Sequence, residues 1–97
     1  MQTRLDRLRA VLERRFQPTL LEIEDQSARH AGHAGARGEG ETHYAVLLVS
    51  PLFQGQSRVA RSRSVHEILD AEFKSGLHAL ALTLRTPDEQ EASARKG

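Results

Sequence analysis

The sequence predicts an α+β domain in which helices pack on a three-stranded mixed sheet. Three observations lead to this prediction. An amphipathic helical pattern opens the chain, two strand patterns follow it, and a second helical pattern precedes a third strand. Consecutive strands can pair as an antiparallel hairpin, whereas a strand that follows a helical crossover can lie parallel to its neighbour. The order α-β-β-α-β therefore predicts a two-layer sandwich.

The opening stretch of the chain is predicted to form a helix followed by a strand. The helix is predicted from apolar residues that recur every three or four positions and therefore share one face, namely Leu5, Leu8, Leu12 and Phe16. Pro18 ends the helix, because the residue before a proline avoids the helical conformation. From Thr19 to Asp25 apolar and acidic residues then alternate, which is typical of a half-buried strand.

A long segment without periodicity, from Gln26 to Glu41, separates the first two strands. It contains four glycines and two histidines, His30 and His33. A loop of this length inside a small domain is uncommon and is often functional or disordered. The nearly continuous apolar run from Thr42 to Val49 predicts the second strand, and Ser50-Pro51 ends it. The two strands are therefore expected to form a hairpin across a glycine-rich loop.

The second helix is predicted between Ser57 and Gly76. Serine is a favoured N-cap residue, and glycine commonly ends a helix because it adopts a left-handed conformation without steric cost. The apolar stripe of this helix consists of Val65, Ile68, Leu69 and Phe73. We expect the helix to carry the chain back to the start of the third strand.

The third strand, from Leu77 to Leu84, alternates between a bulky side and a small side. His78 shares the bulky side with three leucines, because strand side chains alternate with period two. The small side carries Ala79, Ala81 and Thr83, and we expect a helix to approach it closely. A histidine at the entry to such a strand is either a structural hydrogen-bonding residue or a ligand.

The C-terminal segment after this strand has almost no apolar residues. Thr86 and Pro87 are typical of a helix start, since proline is favoured in the first turn. We therefore predict a short helical turn, followed by a polar, frayed tail over residues 88–97.

Length and composition exclude several classes of protein. The chain has 97 residues, a net charge of +1 and no cysteine, so it forms one domain without disulfides or thiolate metal sites of its own. No apolar run approaches the roughly 20 residues that span a bilayer, and the N-terminus lacks the apolar centre of a signal peptide. We expect a cytoplasmic protein without a membrane partner, whose mature chain starts at or near Met1.

Motifs for catalysis are absent from the sequence, whereas arginines cluster at the start of the second helix. No serine–histidine–acid order, phosphate-binding loop or carboxylate pair stands out, so the sequence favours a protein that is not an enzyme. Arg58, Arg61 and Arg63 either bind phosphates, as guanidinium groups near a helix N-terminus can, or form a solvated helix face. Two GXXG matches lie between predicted strands, whereas a KH domain needs this loop between helices.

Several of these segments together resemble the BolA family. The resemblance is carried by residues 20–27, His30-Ala31-Gly32-His33, Gly40-Glu41-Thr42-His43-Tyr44, Val49-Ser50-Pro51, Phe53-Gln54-Gly55 and Leu77-His78-Ala79-Leu80-Ala81-Leu82. It extends to about Pro87 and is closest to the histidine-type branch, in which the loop after the first strand carries histidine rather than cysteine. It implies a BolA-like domain over residues 1–87, with a fold like the type II KH domain but without a functional GXXG loop.

The resemblance implies a shared metal cluster. By family pattern the protein binds a monothiol glutaredoxin and shares a [2Fe–2S] cluster with it, in iron–sulfur trafficking and iron regulation, and holds no cofactor when isolated. His78 and His30 correspond to the cluster ligands, with His33 as the alternate. If glutaredoxin and glutathione supply two thiolates, two imidazoles complete a Rieske-like ligand set. Without the resemblance, these three histidines are interpreted as structural or solvated residues, as are His43 and His66.

The resemblance also implies an alternative function, a DNA-binding transcriptional regulator of stress response and cell morphology. The alternative depends on Arg58, Arg61 and Arg63 at the start of the second helix. Family members commonly read Arg-His-Arg there, whereas this chain has Ser62 in the central position. The chain alone is expected to be a monomer or a weak homodimer.

Overall fold

The structure, a computed structural model, describes residues 2–27 and 42–96. Its elements are α1 (Arg4–Phe16), β1 (Leu20–Asp25), β2 (His43–Val49), α2 (Arg58–Ile68), α3 (Asp70–Lys74), β3 (Ala79–Arg85) and α4 (Pro87–Lys96), with a 3-10 turn over Pro51–Phe53. The predicted α+β class and the order of the main elements are confirmed. The second predicted helix is divided at Leu69, which lies between α2 and α3.

The three strands form one mixed sheet with β2 in the centre. β1 pairs with β2 in the antiparallel direction, and β3 pairs with β2 in the parallel direction. Val46 shows the register, because it lies opposite Ile23 on one side and opposite Leu82 on the other. The mixed three-stranded sheet is therefore confirmed, while the likeness to a type II KH domain stays a prediction.

The hydrophobic core lies between one face of this sheet and the helices. Its fully or nearly fully buried members are Leu8, Leu12, Phe16, Tyr44, Val46, Leu48, Phe53, Val65, Leu69 and Leu77. The predicted apolar stripe of α1 supplies three of them. This helix begins at a capping box, in which Thr3 Oγ1 accepts from the Asp6 N–H and the Asp6 carboxylate accepts from the Thr3 N–H. Local sequence therefore defines α1, and burial of its stripe holds it on the sheet.

The faces of β3 differ from the expectation. Leu80, Leu82 and Leu84 pack against the core, whereas Ala79 and Ala81 are exposed on the opposite face. The expectation that a helix approaches the small side is therefore wrong. Alternating side chains of unequal size do not by themselves show which face meets a helix, and the larger apolar area on the leucine side favours its burial.

The expectation that His78 shares the face of Leu80, Leu82 and Leu84 is also wrong. Leu77 is buried at 2% exposure and His78 is exposed. The backbone N–H groups of His78 and Ala79 both donate to the carbonyl oxygen of Thr42, at 2.8 and 3.1 Å. Two successive residues thus share one acceptor, and this irregular pairing interrupts the side-chain alternation before β3 begins.

The C-terminal segment forms a helix of ten residues, α4, rather than the short turn that was expected. The backbone N–H of Glu89 donates to Thr86 Oγ1, and the backbone N–H of Thr86 donates to the Glu89 carboxylate. Arg61 also binds Glu89, at 2.6 Å. Polar contacts rather than an apolar stripe stabilise this helix. Hydrophobic periodicity therefore predicts a helix that is too short. The division into a domain over 1–87 and a tail over 88–97 stays a prediction.

None of the helices in the described ranges, 2–27 and 42–96, is long and apolar enough to cross a membrane.

Candidate metal-ligand site

The imidazole of His78 is exposed on a backbone that is fixed on both sides. Before it, the Leu77 N–H donates to the Glu72 carbonyl oxygen at 2.9 Å, and the Leu77 side chain is buried in the core. The N–H of His78 itself donates to Thr42 at the start of β2. The ring therefore stands on a rigid part of the fold and is open to an atom of a partner.

A second histidine, His43, lies beside His78. The centroids of the two rings are 5.9 Å apart, and the ring planes are almost perpendicular at 85°. His43 is the first residue of β2 and lies opposite Ala79 in the parallel register. Its Nδ1 lies 2.9 Å from the hydroxyl oxygen of Thr42, so a hydrogen bond orients the ring. The site thus contains two imidazoles from the starts of two neighbouring strands.

Sequence reasoning missed His43 as a neighbour of His78, because it interpreted His43 as a structural or exposed residue of the second strand. A signal for this contact exists in the sequence. Both histidines stand at the N-terminal ends of predicted strands, and the N-terminal ends of adjacent parallel strands meet at the same edge of a sheet. Parallel pairing of the second and third strands was one of the expected arrangements, so the contact follows once this pairing is chosen.

The two predicted loop ligands, His30 and His33, lie outside the described residues. The described residues that border this segment are well anchored. Ser27 Oγ accepts hydrogen bonds from the backbone N–H groups of Thr42 and His43, at 2.9 and 3.1 Å, and Ser27 is 4% exposed. Ser27 and Thr42, the described residues on either side of this segment, therefore both lie next to His43.

A complete metal site is not formed by the described residues alone. Within ranges 2–27 and 42–96 no group of three or more histidine, cysteine, aspartate or glutamate residues is placed to hold a metal ion. His43 and His78 supply two imidazoles at most, so any metal bound here takes further ligands from elsewhere.

A buried arginine, Arg4, supports the turn that leads into His78. Arg4 is 7% exposed, and its Nη1 donates to the Glu72 carbonyl oxygen, to Glu72 Oε1 and to Ser75 Oγ, at 3.1, 2.7 and 3.0 Å. Its Nη2 donates to the Ser75 carbonyl oxygen at 3.2 Å. These bonds satisfy carbonyl groups at the C-terminal end of α3, where a cation is favourable. Gly76 follows with φ +129°, a conformation that favours glycine.

The three arginines of the nucleic-acid alternative do not share one surface. The Arg61 side chain is 7% exposed and donates to the carbonyl oxygens of Gln56 and Leu84 and to both carboxylate oxygens of Glu89. Arg58 and Arg63 are exposed, but five helical positions place them about 140° apart around the axis. Arg61 is thus buried and bonded within the fold, while phosphate binding by Arg58, Arg61 and Arg63 stays a prediction of the alternative.

The comparisons with known proteins agree with the fold and with the sequence resemblance. A family model described as BolA-like protein matches residues 12–89. The chain is 48% identical over 87 residues to SufE-like protein 1, chloroplastic/mitochondrial, of Arabidopsis thaliana, covering 86% of this chain and 24% of that protein. It is 43% identical over 91 residues to the protein BOLA1, chloroplastic, of the same plant, covering 92% of this chain and 57% of that protein.

A solved structure supports the same assignment. The BolA domain of SufE1 from Arabidopsis thaliana matches with a TM-score of 0.81 at 45% identity, covering 92% of this chain and 98% of that domain. The chain thus spans only part of the length of the two curated relatives, but it covers nearly all of the solved domain. Because the family match includes most of the chain and the folds coincide, this protein belongs to the BolA family.

Proposed function

We propose that this protein is a non-catalytic partner of a monothiol glutaredoxin and shares a [2Fe–2S] cluster with it through histidine ligands. Membership of the BolA family supports a role in iron–sulfur processes. The observation that carries the proposal is the position of His78, an exposed imidazole between a buried Leu77 and a strand that begins at Ala79. A ligand for a shared metal needs this combination of fixed backbone and open ring.

The chemistry of the chain restricts what it contributes to such a cluster. It has no cysteine, so its ligands are imidazoles, while the glutaredoxin and glutathione supply the thiolates. We propose His78 as the fixed ligand. The second ligand is His30, with His33 as its alternate, and the 5.9 Å contact with His78 adds His43 as a third candidate.

Reconstitution tests this assignment. The protein is mixed with a monothiol glutaredoxin, glutathione, iron and sulfide, and the absorption and circular dichroism spectra are recorded. We expect a mixed-ligand spectrum that differs from that of the glutaredoxin alone, and we expect His78→Ala to abolish it. His66→Ala is the control, because His66 stacks on Phe73 in the helical region, with ring centroids 5.4 Å apart. An unchanged spectrum for His78→Ala contradicts the ligand assignment.

The second ligand is identified by the same spectra. His30→Ala, His33→Ala and His43→Ala are compared one at a time, and the variant that matches the loss seen with His78→Ala marks the partner ligand. If His43 only orients His78, His43→Ala shifts the spectrum without abolishing it. The DNA-binding alternative is less well supported, because Arg61 is buried and bonded to Glu89.

A further inference from the structure

A groove of about 600 Å³ runs along the outer edge of β3, between α2 and α4. Residues 82–85 of β3 form one side of it. Arg58 and Ser62 of α2 and Ser93 of α4 line the other sides. The groove lies at an edge of the sheet, since the strand order is β1-β2-β3 and no strand of ranges 2–27 and 42–96 pairs with the outer side of β3.

The backbone of β3 presents hydrogen-bonding groups to this edge. The Ala79 N–H and the Arg85 carbonyl oxygen are bonded on the β2 side, to Thr42 and Ser50. Because successive residues of a strand direct these groups to opposite sides, the groups of Leu80, Leu82 and Leu84 point outward.

One hydrogen bond confirms this direction. The carbonyl oxygen of Leu84 accepts from Arg61 Nη1 at 3.1 Å, on the side away from β2. Among the hydrogen bonds shown for residues 2–27 and 42–96, no arginine donates to the carbonyl oxygen of Leu80 or Leu82. An edge of this kind is a template for pairing with another strand.

The charge of the groove is positive. Arg58 and Arg85 both line it. The Arg85 Nη1 donates to Gln90 Oε1 at 2.7 Å, and this neutral amide leaves the arginine charge uncompensated. One acidic residue, Glu89, also lines the groove; it binds Arg61 with both oxygens, at 2.6 and 3.2 Å, and also interacts with the charge of Arg58. The lining thus contains two arginines and one carboxylate, which leaves it with a net positive charge for a ligand to meet.

We propose that this edge receives an extended, acidic segment of a partner protein, which adds a fourth strand to the sheet beside β3. The segment's backbone bonds to the outward groups of Leu80 and Leu82, and its acidic side chains meet Arg58 and Arg85. This is β-strand addition, in which main-chain bonds provide affinity and side chains provide specificity. A nucleic-acid backbone fits less well, because phosphates accept hydrogen bonds but leave the outward carbonyl groups unpaired. The proposal does not depend on the metal-ligand role of His78.

The test uses a capped seven-residue peptide of alternating glutamate and valine as the probe. It is titrated into the ¹⁵N-labelled 97-residue chain, and amide exchange is followed by NMR. We expect exchange at the Leu80 and Leu82 amides to slow by about tenfold at saturation. The Ala81 amide faces β2 and serves as an internal control, since its exchange is not expected to respond in this way.

Charge variants test the two arginines. Arg58→Glu and Arg85→Gln are each expected to weaken binding of the peptide by about threefold or more, the effect of an exposed charge pair. Arg63→Glu is the matched control, because Arg63 is exposed on the same helix but does not line the groove. It is expected to leave affinity within about twofold.

Three outcomes overturn the proposal. The first is no slowing of exchange at Leu80 and Leu82 up to millimolar peptide. The second is equal binding of a peptide in which lysine replaces glutamate. The third is a single-stranded DNA probe that shifts the groove resonances when the peptide does not, which would assign the two arginines to phosphates.

Discussion

Arg4 and Glu72 are 68 positions apart in the sequence, and their side chains meet at 2.7 Å beside the turn that leads into His78. Arg7 binds the same carboxylate at 2.9 Å, so two arginines of α1 hold one glutamate of α3. The N-terminal helix thereby fixes the chain just before the candidate ligand. Although α1 contributes no metal ligand, it contributes to the geometry of the site.

Replacing Arg4 should therefore affect both stability and the ligand. Arg4→Met removes the arginine donor of the Ser75 carbonyl oxygen and one of the two arginines that bind the Glu72 carboxylate. We expect it to lower the free energy of unfolding by about 2 kcal/mol. We also expect the ring resonances of His78 to shift. Urea unfolding measures the first effect and proton–carbon NMR of the imidazoles measures the second.

The matched control for this variant is Arg61→Met. Arg61 is buried to a similar degree and also binds a glutamate and backbone carbonyls, but at the other end of β3. It should cost a similar free energy of unfolding and leave the His78 resonances in place. If both variants move His78 equally, general destabilisation explains the shift and Arg4 has no specific positioning role.

Substitution of Gly76 should destabilise the protein more than substitution of Gly55. Gly76 has φ +129°, and a Cβ there would lie 3.1 Å from Arg4 Nη2. Gly55 has φ +80° with nothing within 4 Å of its Cβ position. We expect Gly55→Ala to cost about 1 kcal/mol, the penalty of a left-handed conformation, and Gly76→Ala to cost about 1 kcal/mol more. Urea denaturation of the two variants checks this order, and equal costs would contradict the close contact with Arg4.

The ion pairs predict a loss of stability in acid. Hydrogen bonds from Arg61, and then from the Thr86 backbone, lower the pKa of Glu89 from 4.5 to about 2, and the hydrogen bond from Arg7 lowers the pKa of Glu72. A folded-state pKa below the unfolded value means that the unfolded chain binds the proton more readily. The stabilising contribution is therefore complete above about pH 4.5 and is lost as the pH falls towards 2.

Variants at these carboxylates should reduce this pH dependence. With Glu89→Gln, stability should fall less steeply than in the unmodified protein over the same pH range, as measured by urea midpoints. Arg61→Met removes the largest cause of the lowered Glu89 pKa and should also reduce the pH dependence, while the hydrogen bond from the Thr86 backbone remains. In the double variant we expect no further reduction, because the two residues act as one pair. Additive effects of the two substitutions would show that Arg61 and Glu89 do not act as one pair.

A cluster bound through imidazoles should be more sensitive to acid than a cluster bound only by thiolates. Imidazole must lose its proton to bind a metal, and its unperturbed pKa is about 6.5. We expect the absorption of the reconstituted mixture to fade as the pH is lowered, at a higher pH than the cluster of the glutaredoxin alone. Coincident pH profiles would indicate that this chain contributes no histidine ligand.

Much of the fold is predictable from local patterns. The apolar stripe of Leu8 and Leu12 and the capping residue Thr3 specify α1 without reference to the rest of the chain. Strand alternation likewise locates β1, and a nearly continuous apolar run locates β2. Alternation does not show which side of β3 meets the helices. That choice depends on the total apolar area that each side buries. The exposure of His78 also differs from simple alternation, because two N–H groups share the Thr42 carbonyl oxygen.

The BolA resemblance and the position of His78 at a strand start can be read along the chain, because helix and strand periodicity and capping are properties of neighbouring residues. The contact between His43 and His78, the burial of Arg4 and Arg61, and the open edge of β3 arise only when distant segments meet. Those contacts depend on the parallel register of β2 and β3 and on two ion pairs. One joins Arg61 to Glu89, which are 28 positions apart, and the other joins Arg4 to Glu72, which are 68 positions apart. Long-range pairing of this kind leaves no periodic signal in the sequence, so folding in three dimensions decides it.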